Sequence, residues 1–151
     1  VLTRASGAGI MTHICGQYGP VTTAVLAARQ NGVLVSMVKG KSLAYALHAL
    51  QERGRLFLEP NIQVYEGQIV GLHSRGNDLV VNPTKAKQLT NVRASGTDEA
   101  LTLSPPVKHT LEQALEFIEE DELVEVTPES IRLRKKWLLE HERKRASRSA
   151  A

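Results

Sequence analysis

Leu43, Ala46, Leu47 and Leu50 fall at i, i+3, i+4 and i+7, the spacing of one face of an α-helix. Ser42 stands where an N-cap belongs and Gly54 lies just beyond the last turn, so an amphipathic helix is predicted between them. Around it the period drops to two. Residues 9–15 alternate loosely, with Ile10, Thr12 and Ile14 on one side and Met11, His13 and Cys15 on the other, and Gly19-Pro20 ends that strand. Residues 21–30 are Ala-rich, a short linker or helical turn, and the apolar run 33–38 follows Asn31-Gly32 as a second strand. Residues 55–58, 63–73 and 77–81 read as further strands, the longest interrupted by Gly67 and Gly71, which mark bulges or a bend.

The second half carries a brief strand at 101–103, a stop at Pro105-Pro106, and a second helix from Thr110. Gln113 completes a capping box there, and the predicted apolar face is Leu111, Ala114, Leu115 and Ile118. Residues 123–127 and 131–134, joined by a Pro128-Glu129-Ser130 turn, form a predicted hairpin with Glu125 near Arg132 or Arg134 across the strands. Residues 135–151 are a basic tail, helical at first and frayed at its end. Strands interleaved with two clear helices define an α+β fold with a β-rich centre.

Composition narrows the function. Aromatic residues are only 4% of the chain, too few for a platform of rings on which nucleotide bases stack. No apolar stretch approaches the ~20 residues of a membrane span, no signal-peptide pattern is present, and the single Cys15 excludes an internal disulfide. A cytoplasmic setting is expected, with Cys15 a small half-buried hydrophobe. Val1 to Gly7 reads as the end of an element, so the chain is expected to continue upstream.

The net charge of +3 hides a polar division: residues 112–129 carry eight acids and no Lys or Arg, whereas residues 132–148 carry eight bases against Glu140 and Glu142. A basic pole of this kind is either a solvated helix face or a phosphate contact. Residues 82–100 lack periodicity and are rich in Lys, Thr, Ser, Asn and Gly; loops of that length are usually functional or disordered. Lys85, Lys87 and Arg93 supply positive charge there, and Ser95-Gly96 permits a sharp turn and close backbone approach. By these residues alone, RNA contact and plain flexible connection stand level.

Three other constellations carry less. Gly40-Lys41-Ser42 has the end of a phosphate-binding loop, but the Gly required five residues earlier is Val35. The reading is therefore a strand-to-helix turn with Lys41 exposed. His13, His48, His73, His109 and His141 show no metal-binding spacing, and no metal site is expected. Glu119, Glu120, Asp121 and Glu122 follow a helix end consecutively and are expected to splay as a solvated acidic turn.

Residues 64–71 (Val-Tyr-Glu-Gly-Gln-Ile-Val-Gly) with His73-Ser74-Arg75, then 89–100 (Leu-Thr-Asn-Val-Arg-Ala-Ser-Gly-Thr-Asp-Glu-Ala), 110–118 and 122–128 form an ordered succession that resembles the C-terminal domain of BipA/TypA translational GTPases. Residues 8–18 resemble the last strand of the elongation-factor-G-like domain that precedes it in that family. The resemblance implies four parts. Residues 1–20 are the tail end of an elongation-factor-G-like, ferredoxin-type domain, 21–31 a junction, 32–140 the C-terminal domain, and 141–151 a basic tail.

It also implies a ribosome- and tRNA-binding module of a GTPase that acts in translation under stress and in large-subunit assembly. This chain would have no catalysis of its own, with GTP and Mg held by an N-terminal domain. The implied partners are the large subunit and A-site tRNA, with no membrane, and the implied state is monomeric. Carried over by position, Lys85, Lys87, Arg93, Ser95 and Gly96 would meet the tRNA acceptor end or ribosomal RNA; apart from the resemblance, the charge of the tail makes Arg143, Lys144 and Arg145 a secondary basic site. The competing expectation is a protein-interaction or regulatory domain without RNA contact.

Overall fold

In the computed structural model, residues 10, 12–19, 29–86 and 101–149 are described. Two apolar strands make the centre. β1 (Val33–Ser36) is buried at every position, and β5 (Gln68–His73) at every position but Leu72. Strands covered on both faces read as continuous apolar runs, which is how these two stand out in the sequence. β5 pairs antiparallel with β1 on one edge. Its other edge is shared, by β3 (Gly54–Leu56) against Gly71, Leu72 and His73 and by β8 (Ile131–Lys135) against Gln68 and Ile69. β6 (Leu79–Val81) joins β1 in parallel, and β7 (Glu122–Val126) closes the far side on β8, giving the order β6-β1-β5-β8-β7 with β3 off this path. β2 (Gly40–Lys41) and β4 (Gln63–Val64) form a separate two-stranded ribbon.

Alternation along the strands divides the core between two faces. Leu34, Val70, Leu56 and Val81 pack with Leu47 of α1 (Ala44–Gln51) on one side. Val33, Val35, Ile69 and Leu133 pack with Ala114 of α2 (Leu111–Phe117) on the other. The β1–β5 register slips between Leu34 and Val35, beside Gly71, where a Cβ would lie 2.6 Å from the Arg55 carbonyl oxygen. The expected 63–73 strand is two strands. Gly67, at φ +85°, turns the chain between them, which an L side chain resists.

Several expectations are corrected. Ser42 does not cap α1: the N-cap is Leu43, without a side-chain cap bond. The Ser42 hydroxyl instead donates to the Glu59 carbonyl (2.8 Å) and accepts from the Ile62 N–H (3.0 Å), fastening the helix approach to the β3–β4 connection. Residues 101–103 are not a strand. Gln51 of α1 does the pairing there, donating to the Thr102 carbonyl and accepting from the Ser104 N–H, both at 3.0 Å. The capping box of α2 is present, and Ala114 and Ile118 pack inward as expected, but Phe117 joins them while Leu111 and Leu115 are exposed. Phe117 is turned inward by ring packing, Phe57 meeting both His109 and Phe117 edge-on at ring centroids 4.6 and 5.5 Å apart.

Ile10 and residues 12–19, expected to be mostly strand, lie outside every helix and strand, and Ile10, Ile14, Tyr18 and Cys15 are exposed. A strand requires a neighbour for its N–H and C=O groups, and among the described residues none pairs with this segment. The tail also begins later than expected, since Lys135 is a buried member of β8 and the helix is α3 (Glu140–Ser149).

Candidate nucleic-acid-binding surface

After β6, residues 82–84, where the expected long loop begins, are fixed in place. Asn82 Oδ1 accepts from the N–H and the hydroxyl of Thr84 (2.9 and 2.8 Å), a turn in which an Asn side chain replaces backbone. Pro83 is fully buried and its carbonyl accepts from the Leu43 N–H at 3.0 Å, tying this segment to the start of α1. Lys85 then emerges exposed. Lys87, Arg93, Ser95 and Gly96 lie outside the described residues.

The tail residues are unlike one another. Arg143 folds back and donates through Nη1 to the carbonyls of Trp137 (3.2 Å) and Leu138, and its Nη2 is enclosed without a partner. It is a clasp at the base of α3. Lys144 pairs with Glu140 at 2.6 Å, one turn away, a solvent-exposed contact worth little to stability. Arg145 and Arg148 are exposed with no partner among the described residues. Sequence reasoning grouped Arg143, Lys144 and Arg145 as equals and did not single out Arg148, which stands one turn beyond Lys144.

The acidic turn converges instead of splaying. Carboxylate oxygens of Glu119, Asp121 and Glu122 lie within 4.8 Å of one another, an arrangement that resembles a cation site. The cations are side chains of the chain itself. Arg29 donates to both oxygens of Glu122 at 2.8 Å and lies 4.5 Å over the Phe117 ring; Lys135 reaches Asp78 (2.6 Å), Asp121 (2.8 Å) and Glu122 (3.0 Å). Burial alone would favour neutral forms, lowering Lys135 and raising Glu122. The opposing partners outweigh it, so Lys135 is held above and Glu122 below its ordinary range. The three carboxylates are thus joined to Arg29 and Lys135 in one ion network. Arg29 and Lys135 were not foreseen, although the hairpin register carries the second.

Gly40-Lys41-Ser42 is no phosphate cradle. Gly40 and Lys41 are the two residues of β2, the Ser42 N–H donates to the Ile62 carbonyl, and its buried hydroxyl is engaged as above. The five histidines do not converge: His73 is buried with Nδ1 2.6 Å from the Asn77 carbonyl, and His109 sits against the Phe57 and Phe117 rings. Burial lowers the His109 pKa, favouring the neutral ring.

The described residues thus define a small α+β domain with basic side chains on an exposed helix and at the exit from β6. The chain belongs to the TypA/BipA family, its residues 31–140 matching the TypA/BipA C-terminal domain. It is 56% identical over 148 residues to the large ribosomal subunit assembly factor BipA of Haemophilus influenzae, covering 98% of this chain and 24% of that protein. The same figures hold for the factor of that name from Escherichia coli K12, and for that of Buchnera aphidicola the identity is 55% over 147 residues, covering 97% of this chain and 24% of that protein. The chain therefore spans about a quarter of the length of the curated relatives it matches.

Proposed function

We propose that this chain is the ribosome-binding C-terminal module of a translational GTPase, contributing RNA contacts and no chemistry. The observation that carries the reading is 56% identity across 98% of the chain to proteins named for assembly of the large ribosomal subunit. Residues 1–20 are then the end of an elongation-factor-G-like domain. GTP and magnesium belong to a nucleotide-binding domain elsewhere in the parent protein, which works in the cytoplasm. The loop 82–99 contacts the acceptor end of A-site tRNA or the adjacent ribosomal RNA through Lys85, Lys87, Arg93, Ser95 and Gly96, during assembly and during translation under stress. The anchored residues 82–84 and the exposed Lys85 support this placement.

The test is association of the monomeric chain with purified large and small ribosomal subunits across a salt series. Preference for large subunits, with affinity falling steeply as salt rises, is expected of several phosphate contacts. Affinity that is flat in salt would transfer the reading to a protein-interaction domain, and absence of association would end it.

A further inference from the structure

α3 buries no residue completely, so hydrophobic burial does not explain why it is held on the domain, yet three devices secure its base. The Glu140 N–H donates to the Glu66 carboxylate (3.2 Å), as in an N-terminal cap supplied from another part of the chain. Gly67 lies so close to Leu138 that a Cβ on it would fall 2.7 Å from the Leu138 Cα and carbonyl oxygen. Arg143 clasps the carbonyls of Trp137 and Leu138.

The helix has distinct sides. With about 100° between successive residues, Arg143 and Ala146 share the side toward the domain, and after residue 140 these two alone among the described residues of α3 are partly covered. His141, Lys144, Arg145 and Arg148 share the opposite arc at i, i+3, i+4 and i+7, all exposed, along about 10 Å of helix axis. Glu140 neutralises Lys144 at the edge of that arc, and Glu142 lies off it. What remains outward is a pair of free guanidiniums one turn apart, each able to form two parallel hydrogen bonds to phosphate oxygens.

We propose that this outward face is a second RNA-phosphate contact, separate from the long loop, in which Arg145 and Arg148 make the contacts and Arg143 is the positioning residue that holds the helix for them. The inference rests on the ribosome-binding reading and deepens it. Charge complementarity selects the occupant: the face offers cations and no apolar side chain, which suits a polyanion backbone and does not suit an apolar protein groove.

The experiment measures association of the chain with purified large subunits, and with large-subunit RNA stripped of protein, at several salt concentrations. It compares wild type, the double variant Arg145→Ala/Arg148→Ala, and Arg143→Ala. The double variant should keep its fold by circular dichroism, bind both targets more weakly, and flatten the slope of log K against log salt by about 1.4 to 1.8, the loss of two phosphate contacts. Arg143→Ala should lower affinity through loss of amide-exchange protection in residues 140–149. An unchanged slope and affinity in the double variant overturns the proposal. A loss confined to intact subunits also overturns it, in favour of a ribosomal protein partner. Failure of the wild-type chain to bind either target would remove the ribosome reading and this inference together, a result distinguishable from failure of the double variant alone.

Discussion

Glu122 and Lys135 face each other at the open end of the β7–β8 hairpin as a buried ion pair, Oε1 and Nζ 3.0 Å apart, with 0% and 3% of their side chains exposed. Arg29 holds the other side of the same carboxylate, so the pair joins the sheet to the segment that enters the domain. Removing one partner from a buried pair leaves an uncompensated charge, which costs about 3 to 5 kcal/mol. Glu122→Ala should fall at the lower end, because Asp78 and Asp121 still accept from Lys135. Urea denaturation of the chain checks this, and a loss below about 1 kcal/mol would mean that the network is solvated in solution.

The same pair sets a pH profile. Glu122 is held below its ordinary value of 4.5, so its contribution is present above that value and is lost as pH falls through the folded-state pKa. Lys135 is held above its ordinary value of 10.5, so its contribution is present below that value and is lost as pH rises through a still higher one. The midpoint of unfolding should therefore be nearly level with respect to this pair from about pH 6 to 9 and decline on the acid side. Glu122→Gln should lower the plateau and reduce the acid decline. An acid decline identical in the two proteins would assign it to other carboxylates.

Gly67 ties the sheet to the base of α3. At φ +85° a side chain is strained, and a Cβ would fall 2.7 Å from Leu138 backbone atoms that cannot move freely, so Gly67→Ala should destabilise by at least about 2 kcal/mol. The diagnostic measurement is amide exchange in residues 140–149, where faster exchange than in wild type at equal distance from the unfolding midpoint indicates a loosened helix base. Uniform acceleration over the whole domain would instead mark a general loss of stability.

The chain should neither bind nor hydrolyse GTP. Ser42 spends its hydroxyl and its N–H within the domain, and Val35 stands in β1 where a phosphate loop needs glycine. Equilibrium dialysis with GTP and magnesium is expected to give no saturable binding, and Lys41→Ala should behave as wild type. Micromolar binding abolished by that substitution would contradict this account of β2.

Local chemistry was legible in the sequence wherever its partners lie nearby along the chain. The Thr110–Gln113 box and the Glu125–Arg132 rung are both present, the latter at 4.0 Å. Extending that rung by three residues on each strand brings Glu122 opposite Lys135, so the buried pair was implicit in the register and was obscured by the run of acids around it. Ser42 was misread as a cap because the groups that claim its hydroxyl, at Glu59 and Ile62, belong to a connection whose path depends on tertiary packing. β2 and β4 have two residues each, too short for any period to register. The basic tail was legible as charge. Its division into a clasp, a paired lysine and two free arginines depended on which side of α3 faces the domain.

Arg93 carries the last prediction, which tests the loop independently of α3. Its guanidinium keeps its charge at physiological pH and can grip a phosphate through two parallel hydrogen bonds, whereas a lysine offers a point charge alone. If the loop 82–99 meets RNA, Arg93→Ala should weaken association of the chain with large subunits and flatten the salt slope by about one unit, the loss of one phosphate contact. Arg93→Lys should recover part of the affinity by restoring charge without the fork. Stability should change by no more than about 0.5 kcal/mol in either variant, as for surface substitutions generally, so urea denaturation separates a contact from a folding effect. Combining Arg93→Ala with the Arg145/Arg148 double variant should add the two slope changes if loop and helix engage separate phosphates. An Arg93→Ala protein with the slope and affinity of wild type would remove residue 93 from the RNA interface.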